Sequence, residues 1–282
     1  MPILVTGATG SVGRHLLAEL LAAGADVRAV TRDLDRANLP AGIEVVAGNY
    51  ATGDLPAGIF DGVERAFVFP ADEGICAFAA AAGSAGLERL VAMSSAAASL
   101  RYPRDQRSVS ARHHLAFETD LHATGIPLTI LRPGPFANNL LGWAHTIRAA
   151  GFAAGPYPES RQAPLHEADV AAVAAVALLE DGNALDGQIL ELSGPQALTR
   201  REQLAAIGAA LGRDLIFREQ APGEFAAAMA PYMPSEIIEM VLDHWRDTQF
   251  DPDLVFPTTE AVTGRPARTL SEWARDHVAD FS

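Results

Sequence analysis

Hydrophobic positions in the first half of the chain fall into two alternating periods. Short runs rich in β-branched residues or leucine, near residues 3–6, 26–31, 43–47, 65–69, 87–93 and 128–131, predict strands. After the first of these, Leu16, Leu17, Leu20 and Leu21 form an apolar stripe at helical spacing, ended by Gly24 as a cap. A further helix is expected over residues 108–124, stopping at Gly125. Strand and helix in alternation predict an α/β fold, and right-handed crossovers make it a doubly wound parallel sheet of Rossmann type. Beyond residue 150 helices dominate. Asp169 begins the apolar run 170–179, and the capping box Thr199-Arg-Arg-Glu202 opens a helix that stops near Gly212. One isolated strand, near 188–192, is expected to return to the main sheet. The predicted organisation is a nucleotide lobe over 1–150 and a smaller, mainly helical substrate lobe over 151–282, with that strand crossing back.

Composition narrows the chemistry. All 21 basic residues of the 282 are arginine, so mechanisms that need a lysine amine are excluded, from Schiff bases to the Walker-A loop and the Tyr-x-x-x-Lys relay. The net charge of −14 repels phosphate backbones and anionic membranes, and neither nucleic acid nor membrane is an expected partner. Cys76 is the single cysteine, which excludes an internal disulfide and a cysteine-rich zinc site; a buried, small apolar role is expected for it. No His/Asp cluster has metal spacing, so no metal is expected. The longest apolar stretch, 170–179, is too short for a bilayer, and the first strand begins without a charged leader; a cytoplasmic protein is expected, with homo-oligomerisation left open.

The strongest local signal is Gly7-Ala-Thr-Gly10-Ser-Val-Gly13, between the first strand and the first helix. Gly7 permits the tight turn, Gly10 lets a pyrophosphate approach the backbone, and Gly13 allows close helix–strand packing, with the helix amino end facing the phosphates. At the end of the second strand, where an NAD enzyme presents a carboxylate to the ribose, the chain reads Thr31-Arg32. An arginine fork complements a 2′-phosphate, so NADPH is the expected cofactor; Asp33 and an ordinary surface role for Arg32 weigh against this. Asn49 is placed at the adenine rim or in a simple turn. The expected dinucleotide contacts are Gly7, Thr9, Gly10, Ser11, Val12, Gly13, Thr31, Arg32, Asn49, Pro70, Ser94, Pro133 and Phe136.

With these residues the chain resembles the NmrA-like branch of the atypical short-chain dehydrogenase/reductase superfamily. The resemblance also rests on His114-Leu-Ala-Phe-Glu118, Thr129-Ile-Leu-Arg132-Pro133-Gly-Pro-Phe136-Ala-Asn138-Asn139, Glu167-Ala-Asp169, Leu192-Ser-Gly194-Pro195, and Gly264-Arg-Pro-Ala-Arg268 with Trp273. It implies NADP(H) in a cleft between a Rossmann lobe and a small carboxy-terminal lobe. It also implies either a reductase or a regulator that binds dinucleotide without turnover. With Glu118 as anchor, the superfamily's tyrosine position falls at Ser110 and its lysine position at His114, so the ordinary proton relay is missing. Acceptors whose reduced anion is already stable then become the expected substrates, namely quinones and polycyclic aromatic ketones.

Ser94 and Ser95 end the fifth strand, at the edge where ligands bind in this topology. Ser95 is a candidate for polarising a carbonyl, and His114 for shuttling a proton or touching the nicotinamide ribose; structural roles compete for both. Tyr102 and Tyr157 are candidate replacements for the missing donor. Residues 133–136 are expected to offer backbone amides to the carboxamide, and Asn138 and Asn139 to cap the next helix. Arg101, Arg104 and Arg107 read as a solvated mobile loop, with attraction of an anion as the alternative. For Phe136, Trp143, Phe152 and Phe225 a core role and an aromatic-binding role stay open.

Overall fold

The computed structural model describes residues 1–71 and 74–282. Strands β1 (Ile3–Val5), β2 (Val27–Thr31), β3 (Glu44–Ala47), β4 (Arg65–Val68), β5 (Arg89–Met93) and β6 (Leu128–Pro133) are joined through helices α1 (Ser11–Ala22), α2 (Ile75–Ala85) and α3 (Val109–His122). Further along come α4 (Ala144–Ala150), β7 (Phe152–Gly155), β8 (Arg161–Gln162), α5 (Glu167–Leu179), β9 (Ile189–Leu192), β10 (Leu198–Thr199) and α6 (Arg200–Leu211). The chain closes with β11 (Ile216–Glu219), α7 (Pro222–Met229), α8 (Ser235–Asp247), α9 (Thr258–Thr263), α10 (Leu270–Asp276) and α11 (Val278–Phe281). The main sheet has seven strands in the order β3-β2-β1-β4-β5-β6-β9, every neighbouring pair parallel. The expected returning strand is β9, whose Ile189 pairs with Ile130.

Alternation along each strand builds two cores. Ile3 and Val5 face α1 and α5 with Leu16, Leu20, Phe67, Val170 and Leu178, while Leu4 faces α2 and α3 with Phe78, Leu90, Phe117 and Leu121. Helices on both faces make the sheet doubly wound. Strand order reverses between β1 and β4, and the crevice at their carboxyl ends is where this topology places a ligand. A third core joins the 3₁₀ turn Ala137–Trp143 to α4, α6, α10 and α11 through Leu140, Ile147, Leu204, Ile207, Trp273 and Phe281. From this body α7 and α8 reach over the sheet's carboxyl edge, held edge to face by Phe225 and Trp245 at 5.1 Å.

Two expectations are corrected here. Cys76 is exposed, because Ile75, Phe78, Ala79 and Ala82 take the buried face of α2 and leave it on the other side. Its Sγ lies 3.4 Å from Asp120 Oδ2, and that hydrogen bond and charge push the thiol pKa up, away from nucleophilic reactivity. Asn138 and Asn139 do not cap a helix: they sit inside the 3₁₀ turn, where Asn138 Oδ1 accepts from Trp273 Nε1 at 2.8 Å and ties that turn to α10.

Candidate active site

The turn after β1 has the geometry of a phosphate cradle. Gly7 has φ +63°, a left-handed conformation that favours glycine. A Cβ on Gly13 would lie 2.2 Å from the Gly7 carbonyl oxygen and 2.8 Å from Ala8 Cα, so Gly13 is required by the turn itself more than by the strand. At Gly10, the residue before α1, no side chain caps the helix, and no acidic residue occupies its first turn. Thr9, Gly10 and Ser11 are exposed while Val12 is buried in the sheet core, which leaves the backbone at the helix end open to the cleft. Uncapped amides at a helix amino end are what a pyrophosphate neutralises. Arg14 braces the same turn: its Nε donates to Thr9 O at 3.1 Å, and its terminal nitrogens donate to the carbonyls of Ala37 and Asn38 in the loop after β2.

That loop begins at Thr31, whose hydroxyl is folded back on Asp33, and continues with Arg32 exposed. Arg32 stands close to Tyr50. Burial pushes the Tyr50 phenol up to about 12, with the Thr6 hydroxyl and the Arg32 charge pulling the other way. Beside it, Asn49 Oδ1 is buried without a hydrogen-bond partner among the described residues. An orphaned acceptor here suits an exocyclic amine such as that of adenine. The turn, the arginine and the orphaned amide fit the dinucleotide half by half, from pyrophosphate to adenosine.

A cavity of about 1220 Å³ opens over the carboxyl ends of β4, β5 and β6. It adjoins the glycine turn through Phe69, which lines it and lies 3.0 Å from where a Gly7 Cβ would stand. Pro70, Ser94, Ser95, His114, Pro133 and Phe136 all line it. The hydroxyl of Ser94, 3% exposed, donates to Glu118 Oε1, and Glu118 is held in turn by a two-pronged ion pair with Arg132 at 2.9 and 2.6 Å. Ser95 is less committed: its Oγ accepts from Ala97 N–H at 3.3 Å, leaving its proton for another acceptor. Ser110 and His114, one turn apart on α3, both line the cavity, which brings to it the two positions expected for the relay. His114 Nδ1 lies 2.8 Å from Ser110 O, which only accepts, so the ring carries its proton on Nδ1. In residues 133–136 the Gly134 N–H is already bonded to Leu192 O and the prolines have none, which leaves Phe136 as the amide this segment offers.

The structure divides the remaining candidates. Tyr102 reaches the cavity with Arg104 stacked on its ring at 3.9 Å, whereas Tyr157 does not line it. Phe136, Trp143 and Phe225 are cavity residues; Phe152 instead stacks under Arg218 at 3.7 Å. Of Arg101, Arg104 and Arg107, the first and last are solvent-exposed as expected, and Arg104 is not. All three line the cavity, and Arg104 is only 8% exposed, set among Asp105, Asp247 and Asp253 within 4.0 Å. Arg101 pairs with Glu191 and Arg107 with Asp243. Sequence reading missed the far wall altogether. There α8 brings Ile237, Met240, His244 and Trp245 over the cavity, and α6 contributes Arg200 and Gln203. The amphipathic run 235–247 was the available signal for α8. For Arg200 there was none, since it reads as one more charge in a capping box.

The sequence model of the NAD(P)H-binding family matches residues 7–181. Over 288 residues the chain is 35% identical to (4-alkanoyl-5-oxo-2,5-dihydrofuran-3-yl)methyl phosphate reductase of Streptomyces griseus, with 99% of each chain covered. It is 31% identical over 291 residues to NAD(P)H azoreductase of Xenophilus azovorans, again with 99% of each covered. Among solved structures it is similar to the NADPH complex of the quinone oxidoreductase QOR2 from Escherichia coli, at TM-score 0.81 and 25% identity over 97% of this chain and 99% of that one. The chain therefore belongs to the NAD(P)H-binding family, as an oxidoreductase of the atypical short-chain dehydrogenase/reductase type.

Proposed function

We propose that the protein is an NADPH-dependent reductase of a conjugated small-molecule acceptor, a quinone or a polycyclic aromatic ketone. The observation that carries this reading is the cavity. It adjoins the glycine turn, is walled by Phe69, Tyr102, Phe136, Trp143, Phe225 and Trp245, and holds a serine and a histidine where the superfamily's tyrosine and lysine would stand. The relatives are named for unlike acceptors, a dihydrofuranone phosphate, an azo compound and a quinone, which share a conjugated π system. Such acceptors spread the charge they gain and depend less on a protein acid.

The bound dinucleotide supplies hydride, and the chain supplies position and electrostatics. The amides of Ser11 and Val12 would hold the pyrophosphate, the Gly10 N–H being bonded to the Gly7 carbonyl, while Asn49 would accept from the adenine amine and the Arg32 fork would grip the 2′-phosphate. At the reacting end Ser95 directs its O–H at the acceptor oxygen. His114, its ring oriented by the Ser110 carbonyl, stands in the relay position. The aromatic walls hold the acceptor flat and exclude water.

Arg32→Glu is expected to weaken NADPH binding by about 1–3 kcal/mol relative to NADH, through loss of a charge-assisted contact. Titration of both dinucleotides checks this, and equal losses for the two would remove Arg32 from the 2′-phosphate site. The substrate reading is tested by steady-state turnover of matched quinones and hydroxylated polycyclic ketones. A ketone needs its oxygen polarised more than a quinone does, so Ser95→Ala should lower the ketone-to-quinone ratio of kcat/KM by roughly tenfold or more. An unchanged ratio would make Ser95 a structural residue. Turnover of neither class by the wild-type protein would sink the substrate assignment.

A further inference from the structure

Arg200 is the first residue of α6 and 2% exposed, yet no carboxylate among the described residues pairs with it. Its neighbours in space do pair: Arg201 with Glu159 at 3.0 Å and Arg161 with Glu202 at 3.8 Å. Arg200 turns inward, with its guanidinium 3.7 Å from the ring centre of Trp245, 5.5 Å from Trp143 and 5.7 Å from Phe217. Gly155 makes room for it, since a Cβ there would lie 2.5 Å from Nη2. Its Nε is buried with no hydrogen-bond partner among the described residues. Aromatic faces soften a buried cation but accept none of its N–H bonds in the plane of the guanidinium. Desolvation alone pushes its pKa down to about 9, so the group is still charged at neutral pH.

An unpaired buried cation is among the costliest arrangements a fold can keep. This one also stands at the amino end of a twelve-residue helix, where the dipole disfavours a cation and favours an anion. It lines the substrate cavity together with Gln203, on α6, a different element from those that carry Ser95 and His114. The helix end is already capped by Thr199 and Glu202, so what a negative group entering from the cavity would complete is the guanidinium. Trp143 and Trp245, which flank the guanidinium, are also cavity walls, so an aromatic body stacked there places an acidic substituent within its reach.

We propose that Arg200 anchors an acidic group of the acceptor, a carboxylate or phosphate carried on its conjugated body, which deepens the reductase reading and rests on it. The acceptor then lies between two fixed points, with the reducible group toward Ser95 and the acid toward α6. Neutral acceptors lose the second anchor and bind in less defined poses.

The test is binding to the NADPH-loaded protein, followed by quenching of tryptophan fluorescence. The probes are naphthalene-2-carboxylate, 2-naphthyl phosphate and neutral naphthalene-2-carboxamide. The wild-type protein is expected to bind at least one anion about 10- to 100-fold more tightly than the amide, the range of a charge-assisted contact. The anion bound more tightly identifies the acid. Arg200→Met, similar in length and without charge, should bring the preference to within about threefold. Its melting temperature should not fall, because the substitution removes a buried unpaired charge. Equal affinity of the wild-type protein for all three probes overturns the proposal without recourse to any variant. Retention of the preference in Arg200→Met overturns it as well. Because none of these probes is reduced, failure of NADPH turnover would strike the reductase reading and leave this result standing.

Discussion

Gly13→Ala is expected to abolish dinucleotide binding and to lower the melting temperature at the same time. The new Cβ would lie 2.2 Å from the Gly7 carbonyl oxygen and 2.8 Å from Ala8 Cα, both backbone atoms that no rotamer change can move. The turn between β1 and α1 must therefore open, which displaces the amides of the helix end and loosens Leu16 and Leu20 from the sheet. Forcing extra volume into a packed site costs about 1–3 kcal/mol and sometimes more. For a chain of this size that is a drop of roughly 2–4 °C for each kcal/mol. Gly10→Val is the informative companion. A Cβ at Gly10 stands 3.2 Å from the Gly7 oxygen, tight but relieved by a small shift, and otherwise points where the pyrophosphate comes. It should remove NADPH binding while leaving the melt within a few degrees of wild type. Calorimetric titration and thermal melts of the two proteins separate the demands of the turn from those of the ligand. Near-normal binding in both would mean the turn is not the phosphate site.

Glu118→Leu carries the other large effect, and it acts on the floor of the site. Glu118 is 4% exposed and bonds both prongs of Arg132 while accepting from Ser94. Arg132 continues to Ser99, whose hydroxyl donates to Glu191 at 2.7 Å, and Glu191 holds Arg101 at the cavity rim. Removing the carboxylate leaves a guanidinium buried without its counter-charge, at a cost of about 3–5 kcal/mol. Urea unfolding should show that loss, with the largest local change at the end of β5 where Ser94 and Ser95 lie. Replacing both partners, Glu118→Leu with Arg132→Met, should recover much of it, since an apolar pair of similar volume is no worse than a buried ion pair. A double variant as unstable as the single one would show that the two residues are not coupled.

Both predictions concern residues the sequence already singled out, and this reflects what a sequence can carry. Gly7, Gly10 and Gly13 were legible because their role is local: each satisfies a backbone or contact demand within the same turn. The strands were legible from alternation, and β9 from a lone β-rich run in a helical stretch. What escaped depends on tertiary burial. Arg104 lies among charges and turn residues and reads as solvent-facing until α8 and the segment after it bring Asp247 and Asp253 to its side. Arg200 was hidden because its neighbour Arg201 does face solvent, so the pair reads as one polar patch. Cys76 was misplaced for a different reason: alanine-rich α2 has little amphipathic contrast, and nothing in the pattern says which face Phe78 will draw inward.

In the proposed reaction a dinucleotide held by the glycine turn gives hydride to an acceptor in the adjoining cavity. The most direct measurement mixes the purified protein with NADPH, establishes binding, and then follows the reduced-nicotinamide absorbance as quinones and hydroxylated polycyclic ketones are added to the same sample. Consumption of NADPH that depends on both protein and acceptor is the predicted result, and Gly10→Val should abolish it. Tight NADPH binding with no loss of absorbance for any acceptor would rule out hydride transfer and make the protein one that senses the dinucleotide without using it.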